Sequence, residues 1–216
     1  MGKEPNVVLV HGAWADGSSW SEVIESLQAD GYTVTAPQFP EASLAADVAR
    51  LRQVLRRQDG ATVVAGDSYG GQVMTALGTD APNVAALVYI AAFGLDEGES
   101  LGKLLGSGPP RPALAHLIVD EEKFGWLPEP DFVSHFASDV NPIKARVVCA
   151  VQQGLSMSSF EDVMDVPPWK SHPTRYLVAT NDGQLALKTF IAVDPDSRRD
   201  WFESENSKNY PVYAGH

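Results

Sequence analysis

Apolar runs that alternate with helical patterns constrain the fold of this chain more than any other feature of its sequence. Four runs are rich in β-branched and small apolar residues: 7–10, 33–36, 62–65 and 86–92. Between them, apolar residues recur at helical spacing in three segments: 20–30, 44–58 and 70–77. Apolar strands separated by helices are typical of a parallel sheet that is covered on both faces. We therefore predict an α/β fold with a doubly wound, mostly parallel sheet.

The alternating pattern lapses in the middle of the chain and returns near its end. Between residues 93 and 168, Gly, Pro and acidic residues interrupt short helical patches such as 143–153. A strand pattern resumes at residues 175–180. A chain of 216 residues fits one domain with a modest insertion. We predict that residues 1–92 and 169–216 form the two parts of one core, and that residues 93–168 form a lid over the sheet.

Net charge and cysteine content exclude several classes of function. The formal net charge of −12 argues against binding nucleic acid, which needs a basic surface, and against docking on anionic membranes. The single cysteine, Cys149, cannot form an internal disulfide, and its apolar neighbours predict that it is buried. No apolar run approaches the roughly 18 residues of a membrane span, and residues 1–10 lack the pattern of a signal peptide. These features predict a cytoplasmic protein.

The strongest local motif is Gly66-Asp67-Ser68-Tyr69-Gly70, which fits the pattern G-x-S-x-G. It follows an apolar run directly and leads directly into a helical pattern, which is the strand–turn–helix context of a nucleophile elbow. Glycine at both ends permits a sharp turn because neither residue has a side chain to collide with nearby backbone. The helix N-terminus behind Ser68 favours negative charge that develops there. These features identify Ser68 as the candidate nucleophile.

A second motif, His11-Gly12-Ala13-Trp14, follows the first apolar run. Because parallel strands end at the same edge of a sheet, this turn is expected beside Ser68. A backbone N–H of the turn and the N–H of Tyr69 could together bind the oxyanion of a tetrahedral intermediate. We assign Ala13 as the donor in this turn, with Trp14 as the second choice. For His11 we expect a structural role.

Four segments of the chain resemble a bacterial family of small α/β-hydrolases, most of which are classed as esterases. The segments read VVLVHGAWADGSSW, GDSYGG, LVYIAAFGLDEGES and PPWKSHPTRYLVATND. The resemblance covers roughly residues 6–182 and implies a serine–acid–histidine triad in that order along the chain. Ser68 matches the family's nucleophile, and Asp182 matches its acid in the turn after the penultimate strand. The family usually has histidine immediately before the nucleophile, where this chain has Asp67.

The catalytic base is the residue that the sequence specifies least. A serine hydroxyl needs an imidazole as its base, and the imidazole needs a carboxylate to orient it. The family would continue past Asp182 through a last strand, a catalytic histidine and a closing helix, whereas this sequence ends at His216. Of the five histidines, His216 alone follows a strand pattern, at 211–213, after Asp182. We therefore predict His216 as the base, and Asp96 is the alternative acid.

Together these residues predict a serine hydrolase that cleaves a carboxylic ester of a small molecule through an acyl-enzyme. A lactonase, carbon–carbon hydrolase or lyase could use the same site. A ligand-binding protein on a catalytically degenerate hydrolase fold is the alternative from another class. It gains support from Asp67, since a negative charge beside the nucleophile would oppose an oxyanion.

Metal ions and cofactors are not predicted, because neither zinc-ligand spacing nor a nucleotide-binding motif is present. The absent closing helix predicts a last strand that is open to solvent or to a partner chain, and a homodimer is therefore one expectation.

Overall fold

The computed structural model describes residues 4–107 and 111–177 completely, and only the backbone of residues 178–179 and 200–204. The described strands are β1 (Asn6–Val10), β2 (Thr33–Thr35), β3 (Thr62–Ser68), β4 (Val84–Ala92), β5 (Ile118–Val119), β6 (Phe124–Trp126), β7 (Leu155–Ser156), β8 (Thr174–Ala179) and β9 (Asp200–Ser204). Six of them form the main sheet in the order β2-β1-β3-β4-β8-β9. Every neighbouring pair in this sheet is parallel. The sheet confirms the predicted α/β class.

Helices connect the strands of the main sheet. The described helices are α1 (Ser21–Ala29), α2 (Leu44–Leu55), α3 (Tyr69–Thr75), α4 (Leu101–Ser107), α5 (Glu129–Asp131), which continues as a π-helical turn (Phe132–Phe136), and α6 (Pro142–Ala150). Short 3-10 turns occur at Gly17–Trp20, Pro112–Leu114, Met157–Phe160 and Pro168–Lys170. None of the described helices is both long enough and apolar enough to cross a membrane.

Helix α2 has a clear start and an earlier end than its sequence pattern predicts. The hydroxyl of Ser43 accepts a hydrogen bond from the amide of Ala46 at 3.2 Å and so caps the first turn. The helix stops at Leu55 rather than at residue 58. The reason is that the chain must turn back toward β3, which it does through Gly60 with a φ of 98°.

Alternate residues of the central strands pack on opposite faces of the main sheet. On one face, Val8 belongs to the same buried cluster as Leu51 of α2 and Met74 of α3. On the other face, Leu9 packs with Trp20 and with the apolar side of α1. This alternation follows from the two-residue period of a strand. Because helices cover both faces, the sheet is doubly wound, as predicted.

Residues 93–168 contribute a second layer above the carboxyl ends of β1 and β3. Strands β5, β6 and β7 form a small antiparallel sheet within this segment. The layer is attached to the main sheet by the Trp14 indole, which donates to the carbonyl of Gly125 at 2.8 Å. Cys149 of α6 is buried, as predicted. The division of the chain into a core (1–92 and 169–216) and a lid (93–168) remains a prediction.

Two tyrosines fix the carboxyl end of β4 against β8. The rings of Tyr89 and Tyr176 stack with their centroids 5.9 Å apart. The Tyr176 hydroxyl accepts a hydrogen bond from the amide of Ala92 at 3.0 Å and donates to the carbonyl of the same residue. The strand ends that surround the candidate site are therefore tied to one another by side chains as well as by the sheet.

Candidate active site

Ser68 occupies a strained position where β3 meets α3. Its backbone angles are φ 47° and ψ −120°, a region that residues with side chains rarely adopt and that costs about 1–3 kcal/mol. The strand runs on through the glycine and aspartate of the motif, beyond its predicted end at residue 65. The pairing with β4 then shifts, since Asp67 pairs with Ile90 but Ser68 with Ala92. The turn therefore has the sharp geometry that the G-x-S-x-G motif predicts.

Close backbone packing brings the second motif to Ser68. A Cβ atom at Gly70 would lie only 2.5 Å from the carbonyl oxygen of Val10, so glycine alone lets α3 approach the end of β1. A Cβ atom at Gly12 would lie 3.1 Å from the Cβ of Ser68. The turn formed by residues 11–14 therefore lies directly beside the serine, as the sequence predicts.

Both residues assigned to the oxyanion hole line the same cavity as Ser68. Tyr69 is the first residue of α3, where the backbone amides have no acceptor within the helix. The amide of Trp14, the second choice, donates instead to Oε2 of Glu41 at 3.3 Å. Ala13 and Tyr69 therefore remain the two candidate donors, and Trp14 is ruled out because its N–H is already used.

The cavity in front of Ser68 is predominantly apolar and has an empty volume of about 550 Å³, its open mouth included. It is lined by Ala13, Trp14, Ser68, Tyr69, Phe93, Leu101, Leu105, Arg111, Ala113, Leu114, Phe136, Leu155 and Phe160. Most of these residues belong to the segment 93–168. Arg111 is the charged residue of this lining, and its side chain is buried. The cavity could hold the acyl or alcohol part of a small apolar ester.

His11 has the structural role that the sequence predicts. Its Nδ1 donates to the carbonyl of Gly12 at 2.9 Å, and its Nε2 accepts from the amide of Phe39 at 3.2 Å. Burial lowers the pKa of His11, so the imidazole is neutral. Because both ring nitrogens are engaged, His11 cannot serve as the base for Ser68.

Burial favours the uncharged form of Asp67 over the charged form that the sequence suggests. Its side chain is buried, and burial raises its pKa well above the usual range. The backbone amides of Gly12 and of Asp67 itself offset this shift only in part. The raised pKa of Asp67 therefore weakens the argument for a degenerate site, which assumed a charged carboxylate beside Ser68.

Two further buried acids, Glu41 and Asp47, lie next to each other near the site, and sequence reasoning missed both. Burial raises the pKa of Glu41 to about 9, and burial also raises the pKa of Asp47. Asp47 has a detectable sequence signal, since it lies on the apolar stripe of α2 between Leu44 and Leu51. For Glu41, which follows a proline in an irregular segment, no sequence signal exists. Arg111 was also missed, because only the folded segment around it buries it.

Asp182 and His216, the predicted acid and base, lie outside the described residues, and their assignment remains a prediction. Among the described histidines, none lines the cavity. The alternative acid, Asp96, accepts a hydrogen bond from Lys170 Nζ at 2.6 Å near the surface, which disfavours it as a partner for the base. In the described part of the chain, no group of three or more His, Cys, Asp or Glu side chains is arranged to hold a metal ion.

Comparison with known sequences places the chain in a family. The profile of the alpha/beta hydrolase family matches residues 7–216, and the chain belongs to that family. A curated relative, the carbendazim hydrolyzing esterase of Nocardioides sp. (strain SG-4G), is 32% identical over 126 residues. This match covers 52% of each chain, so the chain spans about half the length of that relative. The family that the sequence motifs resemble is thereby confirmed.

Solved structures confirm the fold. A pyrethroid hydrolase from Sphingobium faniae JZ-2 superimposes with a TM-score of 0.78 at 20% identity, covering 97% of this chain and 92% of that one. An extracellular alpha/beta-hydrolase from a Paenibacillus species superimposes with a TM-score of 0.72 at 17% identity, covering 99% of this chain and 100% of that one. At these identities the likeness concerns the fold alone.

Proposed function

We propose that this chain hydrolyses carboxylic esters of small molecules and that Ser68 forms the acyl-enzyme. The observation that carries the proposal is the strained turn at Ser68, which opens into an apolar cavity shared with Ala13 and Tyr69. Strain of this kind persists only where the surrounding structure imposes it, and it is concentrated at functional sites. The names of the relatives, an esterase and a pyrethroid hydrolase, support the same class of reaction.

In the first half of the proposed reaction, Ser68 Oγ attacks the ester carbonyl carbon while His216 takes the hydroxyl proton. Asp182 orients the imidazole and stabilises its charged form. The carbonyl oxygen becomes an oxyanion, which the amides of Ala13 and Tyr69 bind. The intermediate then collapses, the bond to the alkoxy oxygen breaks, and the imidazolium of His216 protonates the leaving alcohol.

In the second half, water attacks the acyl-enzyme carbonyl carbon and His216 takes a proton from that water. The oxyanion forms again between the same two amides. When the intermediate collapses, the bond to Ser68 Oγ breaks and the serine regains its proton from His216. The carboxylic acid leaves, and the site returns to its initial state without a cofactor.

The cavity lining indicates which esters to test first. Residues 93–168 supply most of the lining, and we propose that this segment acts as a lid that shapes the acyl pocket. Phe136 and Phe160, two of the aromatic residues of this segment, line the cavity, whereas Phe132 is fully buried within the cluster that supports it. We expect esters with a medium-sized apolar or aromatic group to react faster than acetates.

The nucleophile is tested by Ser68→Ala. We expect turnover of a 4-nitrophenyl butyrate or hexanoate to fall by several orders of magnitude, on the order of 10⁶-fold in one well-studied serine hydrolase. A fluorophosphonate probe should label the wild-type chain at Ser68 and leave the variant unlabelled. Retention of more than about a tenth of the wild-type turnover would refute the assignment. A wild-type chain that neither reacts with the probe nor turns over any ester would favour the ligand-binding alternative.

The base and the acid are tested separately by His216→Ala and Asp182→Asn. Each change should lower kcat by roughly 10⁴-fold or more, because removing either partner of the serine leaves the hydroxyl without an oriented base. Matched changes of His116 and Asp131, which contact each other at 2.8 Å near the surface, should leave kcat unchanged. Normal turnover in either test variant would exclude that residue from the mechanism.

A further inference from the structure

The backbone turn that carries Ala13 is held in place by the residue that follows it. Trp14 has a φ of 59°, a left-handed conformation that large side chains rarely adopt. Its amide donates to Glu41 Oε2 at 3.3 Å, and its indole donates to the carbonyl of Gly125 at 2.8 Å. The hydrogen bond to Glu41 fixes the peptide that directly follows Ala13, and it thereby limits the directions in which the Ala13 amide can point.

Glu41 forms hydrogen bonds with three parts of the chain: the turn after β1, helix α2 and strand β7. Its φ is 52°, and its side chain is completely buried. Its amide donates to Asp47 Oδ1 at 3.0 Å, and its carbonyl accepts from the amide of Ser156 at 2.9 Å. These two bonds hold the backbone of Glu41, from which its side chain reaches the Trp14 amide.

The same network reaches the second oxyanion donor. Asp47 Oδ2 accepts a hydrogen bond from the Tyr69 hydroxyl at 2.7 Å. Since the Tyr69 amide is the other proposed donor, Glu41 and Asp47 connect the two halves of the oxyanion hole. Trp14 and Tyr69 line the cavity that would hold a substrate, whereas Glu41 and Asp47 are not among its described lining residues.

The described groups that face Glu41 provide no positive charge to balance it. Nδ1 of the neutral His11 lies 3.7 Å from Glu41 Oε1. In the described part of the chain, the remaining titratable neighbours are Asp47, Asp67 and Tyr69, and none of these side chains can carry a positive charge. Burial without a cation raises the pKa of Glu41 to about 9, so the side chain is a neutral acid at pH 7.

We propose that Glu41 is a positioning residue of the ester hydrolysis, and that its neutral carboxyl group sets the Ala13 amide toward the oxyanion by binding the Trp14 amide. This inference rests on the proposed function. Once ionised, Glu41 adds a negative charge close to the turn, and this charge opposes the oxyanion. We therefore expect kcat to fall at alkaline pH because Glu41 ionises. This decline is independent of the titration of the catalytic histidine.

Two substitutions test the role of Glu41. Glu41→Gln keeps the acceptor oxygen and the shape of the neutral acid but cannot ionise, and Glu41→Leu removes the acceptor. The matched control is Glu25→Gln, a change at an exposed residue of α1. For each chain, kcat and KM for a 4-nitrophenyl ester are measured from pH 6 to pH 10.5, after subtraction of the Ser68→Ala background. Melting temperatures are recorded at every pH.

We expect Glu41→Gln to keep kcat within about threefold of the wild type at pH 7 and to lack the wild-type decline above about pH 9. Glu41→Leu should lose kcat by roughly 10- to 100-fold with little change in KM, less than the loss of a whole oxyanion donor. An alkaline decline that is the same in Glu41→Gln and wild type overturns the inference, and this comparison stays decisive if Glu41→Leu does not fold. A wild-type rate equal to that of Ser68→Ala would instead overturn the proposed function.

Discussion

At the scale of single residues, burial decides which carboxyl groups near the serine carry charge. Asp67 adjoins Ser68 in the sequence, and its Oδ2 would lie 2.9 Å from a Cβ atom at Gly12. A carboxylate there would act on the oxyanion from close range. Because the side chain is buried, the pKa of Asp67 is raised, which favours the protonated form and reduces this effect. Burial thus favours an uncharged group immediately before the nucleophile.

Replacing Asp67 by asparagine tests whether its neutral form is the relevant one. Asparagine has nearly the same shape and no charge, so we expect kcat at pH 7 to stay within about threefold of the wild type. Asp67→Lys is the contrasting variant, which should unfold or lose stability because it buries an unpaired charge. A loss of more than tenfold in kcat for Asp67→Asn, with an unchanged melting temperature, would indicate a chemical role for the carboxyl group.

The sequence predicts the candidate site residues that lie in local motifs and misses those that distant parts of the chain bring to the site. Ser68, Ala13 and Tyr69 are recognisable because the motifs around them place strand, turn and helix within a few residues. Glu41 receives its bonds from the turn after β1, from α2 and from β7, which are far apart in the sequence. Arg111 becomes part of the site only when the segment 93–168 folds above the sheet.

At the scale of elements, the packing of α3 against the end of β1 determines the position of Ser68. The helix approaches so closely that a Cβ atom at Gly70 would meet the carbonyl oxygens of Val10 and His11 at 2.5 and 2.8 Å. Backbone atoms cannot move aside as the end of a flexible side chain can. Any side chain at Gly70 must therefore push α3 outward and carry the Ser68 turn with it.

Gly70→Ala should accordingly lower both stability and activity. We expect a loss of about 1–3 kcal/mol in the free energy of unfolding, from overpacking, and a fall of roughly 100-fold in kcat, because Ser68 moves. The matched control is Gly106→Ala in α4, where an added Cβ atom meets nothing within 4 Å. The control should keep its activity and gain slightly in stability through its higher helix propensity. Equal behaviour of the two variants would contradict the packing argument.

The two ends of helix α6 show that local sequence patterns do not determine every helix boundary. The sequence predicts a helix over residues 143–153, whereas α6 spans Pro142–Ala150. It starts early because Asn141 caps it through a 3.0 Å bond to the amide of Ile143. It ends early because the side chain of Gln152 binds the backbone of Leu127 at 3.1 and 2.9 Å. The cap can be found in the sequence, but the tertiary contact cannot.

At the scale of the whole molecule, buried ionisable groups set the pH at which the fold is most stable. Glu41, Asp47 and Asp67 keep their protons in the folded state at pH values where the unfolded chain has released them. Their stabilising contribution is fully present below the unfolded pKa of about 4 and is lost as pH rises toward the folded pKa. His11 acts in the opposite direction, since its lowered pKa favours the folded state only as pH rises through about 6.5. The net charge of −12 adds self-repulsion at higher pH.

We therefore predict that the melting temperature is highest at about pH 4 to 5, because three acids lose their contribution above that range and His11 offsets only one of them, and that it falls steadily toward pH 9. Glu41→Gln isolates one contribution, because glutamine has no proton to release in the unfolded chain. Between pH 6 and pH 8 the stability of this variant relative to the wild type should grow by about 1.4 kcal/mol per pH unit. Denaturant unfolding of both chains at several pH values measures this slope, with Glu25→Gln as the exposed control that should give none. A difference between Glu41→Gln and the wild type that does not change with pH would show that Glu41 is ionised in the folded protein, and it would remove the physical basis of its proposed role.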